Sequence, residues 1–265
     1  MSLIVDLKHA YWNVRHWNAD LALKLLRTLR LRSVVRCLWL FPMRRPGRPA
    51  ETRLTLRSGC DLTLRTYSSD PDVFRQVFLD TQYELPPSVA GVSRIVDAGA
   101  NIGLSSLYYL LRYPAATVVA LEPDPENHHL AVRNTAAFGD RCRVLQAALW
   151  SHESMLALVK GDEAWSTRVE VAAEAMGSVA AMSLDDVLRA MGWQAADIVK
   201  LDIEGAEVEV LTRQLTEPTP VLSCWAIELH SEHAREAFKT LFDGVEWRVE
   251  QHGEIDLAWR VKAGR

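Results

Sequence analysis

Long hydrophobic runs are missing from this 265-residue chain. Nowhere do about 18 apolar residues follow one another, so no segment reads as a bilayer-spanning helix. Asp6 and Lys8 interrupt the first apolar stretch before it reaches the length of a secretory signal core, so an export leader is not expected. Cysteine is sparse. Cys37, Cys60, Cys142 and Cys224 lie far apart without a C-x-x-C pair, which argues against a zinc site or a disulfide framework and fits a reducing cytoplasm. An excess of positive charge is also lacking. The formal net charge is −4, so a general nucleic-acid role is not expected. The remaining composition, 49% hydrophobic and 24% charged, is that of an ordinary soluble chain long enough for one large α/β domain with extensions.

What is present is most informative at residues 95–103, Ile-Val-Asp-Ala-Gly-Ala-Asn-Ile-Gly. An apolar run delivers Asp97 to a strand end, and Gly99 and Gly103 then open a helix through Leu104, Leu107, Tyr108 and Leu111. Strand, glycine turn and helix form an entrance for a nucleotide cofactor, because glycine lets backbone approach a ligand with no Cβ in the way. The spacing does not suit a dinucleotide. A nicotinamide site needs G-x-G-x-x-G to seat a pyrophosphate on the helix N-terminus, whereas this turn has two glycines and a carboxylate before the first. A carboxylate there repels phosphate and suits a cation. S-adenosylmethionine carries an ammonium, a sulfonium and no phosphate.

One βα unit later, Val118-Val119-Ala120-Leu121 reads as the next buried strand, with Glu122 at its end, 19 positions after Gly103. An acidic side chain in that place can accept hydrogen bonds from both ribose hydroxyls. The alternative is that Asp97 and Glu122 merely cap helices. Two carboxylates at matching strand ends favour the cofactor.

Along the chain, residues 1–50 read as a basic amphipathic helical extension and linker. Residues 1–45 hold nine Lys and Arg against Asp6 and Asp20, with Leu21, Leu25 and Leu29 at fourfold spacing and Trp12, Trp17 and Trp39 among the bases. Such a segment is a candidate for peripheral contact with an anionic membrane surface at the cytoplasmic face; the alternative is a packing helix with solvated Arg side chains. Pro42, Pro46, Gly47 and Pro49 end the pattern. Residues 51–93 read as an approach segment. Alternation over 53–57 and 61–65 across Ser58-Gly59-Cys60 predicts a β-hairpin, and Ser69-Asp70-Pro71-Asp72 predicts a capped helix start.

From residue 94 to 265, strands and helices alternate. Strands are expected near 94–97, 117–121, 142–147, 197–202 and 221–229, and helices near 102–112, 125–138, 184–191, 205–215 and 232–242. This predicts an α/β fold with a doubly wound parallel sheet. Extended stretches at Met155–Val159, Arg168–Ala172 and Val179–Met182 predict a small β insertion, where Trp165 is a candidate for stacking on a sugar face or for the core. Glu246–Gln251 and Glu254–Val261 around His252-Gly253 predict a terminal antiparallel hairpin.

Over roughly residues 52–230 the chain resembles the FkbM family of S-adenosylmethionine-dependent O-methyltransferases. The matching blocks are Ser69-Asp70, Val73-Phe74, Tyr83, Asp97 to Gly103, Glu122-Pro123, Asn134, Ala148-Leu149, Ser183 to Asp186, Lys200-Leu201-Asp202-Ile203-Glu204-Gly205-Ala206-Glu207 and Glu228-Leu229-His230. The resemblance implies a class I methyltransferase with a Rossmann-like sheet. It implies transfer of a methyl group to a hydroxyl of a sugar, glycan or natural-product intermediate. Asp97, Gly99, Ala100, Asn101, Gly103, Glu122 and Ala148 are then the expected cofactor contacts.

Physically, Ile198-Val199-Lys200-Leu201 is a buried strand that places Asp202 at its carboxyl end, where ligands bind in open α/β sheets. Glu204 follows in the loop, and Glu207 falls in the first helical turn, where helix-dipole complementation is the preferred reading. Glu228 and His230 share a face at the next strand end. A neutral His accepts a proton near pH 7. Asp202 and His230 are therefore the candidate bases, with Glu204 and Glu228 orienting substrate or base. A divalent cation held by Asp202, Glu228 and a neighbour is an alternative way to acidify the hydroxyl, but no metal site is assigned. Two other readings stay open: a silent cofactor-binding scaffold, and a nicotinamide oxidoreductase disfavoured by the missing third glycine.

Overall fold

The computed structural model describes residues 19–40, 51–66, 68–159, 168–170 and 178–261. Trp165, the 42–49 linker and the first 18 residues lie outside them. The chain divides into two compact units, residues 1–81 and 82–265. The helical extension and the hairpin therefore share one unit, and the division falls before residue 94, where the alternating pattern begins.

In the first unit, α1 (Ala19–Thr28) and α2 (Leu31–Leu40) precede an antiparallel hairpin of β1 (Glu51–Thr55) and β2 (Asp61–Arg65). Leu25, Leu29, Val34, Leu54, Leu62 and Leu64 are buried. Helix and hairpin are joined through backbone: Arg30 N–H donates to Thr55 C=O, and Leu29 bridges Leu56. The helix at Asp70–Phe74, α3, starts differently from the sequence expectation. Ser69 makes no side-chain cap. Asp70 is instead fully buried and paired with Arg65, Oδ1 to Nη2 at 2.8 Å.

The second unit is built on seven strands: β3 (Arg94–Ala98), β4 (Thr117–Leu121), β5 (Cys142–Leu145), β10 (Ala196–Leu201), β11 (Val221–Glu228), β12 (Trp247–His252) and β13 (Ile255–Arg260). Their spatial order is β12-β13-β11-β10-β3-β4-β5. All neighbours pair in parallel except those of β13, which runs against β11 and β12. This is the expected doubly wound sheet with a terminal hairpin. Parallel strands covered on both faces explain the unbroken apolar runs. β10 is buried at every position, Lys200 included.

The intervening helices are α4 (Leu104–Arg112), α5 (Pro125–Thr135), α6 (Leu184–Ala190), α7 (Glu207–Thr216) and α8 (Glu232–Leu241). Asp124 caps α5 by accepting from the Glu126 and Asn127 amides, and Ser183 with Asp186 forms a reciprocal cap on α6. Strand β6 (Ala148–Leu149), β7 (Ser154–Val159), β8 (Arg168–Glu170) and β9 (Ser178–Met182) make the small second sheet at the expected insertion. Among the described residues no helix is long and apolar enough to cross a membrane.

The winding reverses between β3 and β10. β4 and β5 extend the sheet from one side of β3, and β10 and β11 from the other. A crevice opens at the carboxyl ends of strands flanking such a reversal.

Candidate active site

A cavity of about 560 Å³, counted with its open mouth, lies at those strand ends. Gly99 and Asn101 line it after β3, Leu121, Glu122 and Pro123 at the end of β4, and Asn127 in the first turn of α5. Ala147, Ala148 and Leu149 close one side, and Asp202, Ile203 and Glu204 come from beyond β10.

Backbone geometry brings these elements together. Gly99 has φ +74°, and a Cβ there would lie 1.7 Å from the Asp202 carbonyl oxygen, so the turn and the end of β10 touch backbone to backbone. The amides of Gly99 and Ala100 both donate to the Leu121 carbonyl. Glu122 is buried; its Oε2 accepts the Asn101 amide at 2.7 Å and its Oε1 the Asp124 amide at 2.9 Å. Burial pushes its carboxyl up to about 7 against those two donors. Asn101 adopts φ +51°, and its buried Oδ1 accepts no hydrogen bond.

Three residues expected to contact a cofactor do not line this cavity. Asp97 is fully buried beneath the turn, where Oδ2 accepts the Ser105 hydroxyl at 2.7 Å and the Ser106 hydroxyl at 2.5 Å. Its other oxygen lies 3.4 Å from Lys200 Nζ. The negative charge assigned from sequence to a cationic ligand is thus used inside the protein. Ala100 is buried, and Gly103 faces α5, where a Cβ would come within 3.0 Å of Ala131 Cα. Both shape the turn and do not line the cavity.

Lys200 was read from the sequence as a strand residue of the family-matching block, with no partner assigned to it. Its ammonium donates to the Gly99 carbonyl at 2.6 Å and lies 3.4 Å from Asp202 as well as Asp97. Burial lowers its proton affinity, but the two carboxylates outweigh that and leave it raised. Tyr83 is buried beside it: the Lys200 ammonium lies 5.5 Å from the ring centroid, and the phenol donates to Asp202 Oδ2 at 3.3 Å. The signal for Lys200 was available, since a lysine inside a wholly apolar strand must find carboxylates. Tyr83 entered the sequence reading as one of the residues of the family resemblance, but no local spacing pairs it with Asp202, which it meets from 119 positions away.

At the mouth, β10 and β11 lie side by side with Leu201 opposite Ile227, so Asp202 and Glu228 end adjacent strands. His230 joins them: Nε2 is 3.5 Å from Glu228 Oε1 and 3.8 Å from Glu204 Oε2. Its Nδ1 is 2.9 Å from Oε1 of Glu207. Glu207 is fully buried and also accepts the amides of Ile203 and Gly205, so it does more than complement a helix dipole. Asp202, Glu228 and His230 offer metal-ligand atoms within 4.8 Å of one another.

The charge state of His230 reverses the sequence expectation. Burial pulls its pKa down, but hydrogen bonds to Glu207 and Glu228 and the charges of Glu207 and Glu204 raise it to about 11. These contacts favour the protonated imidazole at neutral pH, against the neutral histidine base expected from the sequence. Glu204 moves into the useful range instead: burial, reinforced by neighbouring carboxylates and opposed by His230, lifts it to about 7. Burial likewise raises Glu228. Glu204 has φ +54° on a non-glycine residue, a strained backbone that recurs at functional sites.

Residues 97–259 match the Methyltransferase FkbM domain. Methyltransferase sdnD of Sordaria araneosa is 31% identical over 173 residues, covering 52% of this chain and 66% of that protein. Methyltransferase 1 of Beauveria bassiana is 39% identical over 62 residues, 23% of this chain and 24% of that protein. The chain therefore spans just under two thirds of the first relative's length and about a quarter of the second's. A transferase structure from Pyrococcus horikoshii shares 15% identity at a TM-score of 0.43, over 80% of this chain and 71% of that one.

Proposed function

The chain belongs to the FkbM methyltransferase family, and from that premise we propose that it transfers a methyl group from S-adenosylmethionine to a hydroxyl of a sugar, glycan or natural-product intermediate. The family and its class I fold imply that cofactor, and the cavity residues fit it. Glu122 keeps a buried carboxylate at the second strand end for ribose hydroxyls, and Asn101 Oδ1 is a buried acceptor awaiting a donor. When bound, S-adenosylmethionine supplies an electrophilic methyl on a cationic sulfur.

The observation that carries the hydroxyl reading is the set Asp202, Glu204, Glu228 and His230 beside the cavity. A hydroxyl attacks poorly until its proton leaves, and a base within reach contributes about 10²–10⁴-fold. Glu204, lifted to about 7, is matched to that task, because its carboxylate is present near neutral pH and still holds a proton well. Asp202, held by the Tyr83 hydroxyl and flanked by Lys200, orients the acceptor. Protonated His230, locked by Glu207, draws Glu204 and Glu228 together and offsets part of their charge. Aligning acceptor and donor supplies the rest of the acceleration.

The test is transfer of labelled methyl from S-adenosylmethionine to a panel of polyols and sugars, with amines and thiols as controls. Labelled product with hydroxyl acceptors supports the reading. Transfer confined to amines or thiols would overturn the hydroxyl assignment, and failure to bind the cofactor would overturn the whole reading.

A further inference from the structure

The first unit carries a surface that the active site does not use. Helices α1 and α2 turn Leu25, Leu29, Val34 and Cys37 inward, yet Leu23, Leu26, Leu31 and Val35 stay 45%, 38%, 69% and 56% exposed. These are four of the eleven large hydrophobics exposed among the described residues, gathered within 13 positions. Single exposed leucines need no explanation; a cluster does.

The spacing gives each helix a face. On α1, Leu23, Leu26 and Arg27 stand at i, i+3 and i+4, and on α2 Leu31 with Val35 and Arg32 with Arg36 are each four apart; exposed Arg30 lies in the turn between the two helices. All four arginines are exposed. Across residues 19–40 the basic residues Lys24, Arg27, Arg30, Arg32 and Arg36 face a single acidic residue, Asp20. Lys24 is occupied by Asp80 at 3.0 Å, whereas Arg36 and Arg57 donate to the Arg53 and Leu26 carbonyls and so keep their charge unneutralised by those contacts.

From this alternation of exposed aliphatic and guanidinium groups we infer that α1 and α2 form a docking face for an anionic lipid surface. Aliphatic side chains enter the boundary between headgroups and acyl chains while arginines meet lipid phosphates. A nucleic acid would use the arginines and leave the aliphatic groups idle. The inference is independent of the acceptor reading, because it rests on a different unit of the chain.

Sedimentation of the full chain with vesicles tests it. Binding is expected to phosphatidylcholine vesicles containing phosphatidylglycerol, to be absent with phosphatidylcholine alone, and to weaken as salt is raised. Replacing Arg27 and Arg32 by Gln, or Leu31 and Val35 by Asn, should each weaken binding about tenfold or more. All four positions are exposed, and an unchanged circular dichroism spectrum and melting temperature in each variant verify folding. No binding of the unaltered chain to anionic vesicles overturns the inference. So does binding that survives the Leu31 and Val35 changes, since the face would then act through charge alone and suit a polyanion better than a membrane.

Discussion

Nδ1 of His230 sits 2.9 Å from Oε1 of Glu207, a carboxylate with no exposure to solvent, and this pair sets the charge at the mouth of the cavity. The folded pKa of His230, about 11, exceeds its ordinary 6.5, so the folded chain holds the proton longer than the unfolded one. The stabilisation is therefore complete below about 6.5 and is lost as pH rises toward about 11. His230→Gln should lower the melting temperature most in mildly acidic buffer, with the gap to the unaltered protein narrowing as pH climbs. Ring resonances of His230 should not titrate near neutrality. A midpoint close to the ordinary histidine value would return it to the role of neutral base.

Glu204 should carry the acid limb of the pH profile. Its value near 7 places ionisation inside the working range, so turnover should rise with pH through that region. Glu204→Gln should cut turnover by about 10²-fold while leaving cofactor affinity nearly intact. Calorimetry and turnover on the same variant make the check, and parallel loss of both would move Glu204 into cofactor binding. Chelators should leave the rate unchanged if Glu204 supplies the base, because proton removal by a carboxylate needs no cation. Abolition by chelator with recovery on adding Mg²⁺ would assign the Asp202, Glu228 and His230 cluster to a cation instead.

The sheet was legible because its signals are local. Apolar runs and glycine turns mark the strands and helices of the sheet within a few residues, and Ile198 to Leu201 is a buried strand in both readings. The electrostatics were not legible, since partners come from distant segments. Asp97 looked free to face a ligand only because Lys200, adjacent across the β3–β10 pairing, was read as a strand residue. His230 looked neutral because, beside Glu228 on its own strand face, Glu204 and Glu207 meet it only in the folded chain. Short-range spacing shows where a side chain emerges; its proton affinity depends on what packs around it.

Two glycines with positive φ separate strain from collision. Gly99→Ala would drive a methyl into the Asp202 carbonyl, backbone against backbone, whereas Gly205→Ala at φ +103° meets nothing within 4 Å. Gly205→Ala should then cost only the conformational penalty, about 1–2 kcal/mol. Gly99→Ala should cost clearly more and also weaken cofactor binding, because the turn and the end of β10 must separate. Denaturant melts of both variants give the comparison. Equal losses would mean that the contact between Gly99 and Asp202 is not tight in solution.

Glu122 tests the cofactor pocket most directly. Its carboxylate already accepts two backbone amides, so those bonds hold it in place while a ligand adds further donors. Removing it in Glu122→Ala should weaken S-adenosylmethionine binding by about 1.5–3 kcal/mol, the range for hydrogen bonds to a charged group. Proton affinity sharpens the expectation. With Glu122 lifted to about 7, the charged acceptor becomes more populated as pH rises through neutrality, so affinity should increase across that interval in the unaltered protein and stay flatter in Glu122→Gln. The folded carboxyl also binds its proton more tightly than the unfolded one, so without ligand its contribution to stability falls over the same rise in pH, from about 4.5 to 7. Affinity and ligand-free stability should therefore move in opposite directions with pH. Calorimetry paired with thermal melts would show this, and a Glu122→Ala variant that stays folded with unchanged affinity would remove Glu122 from the pocket.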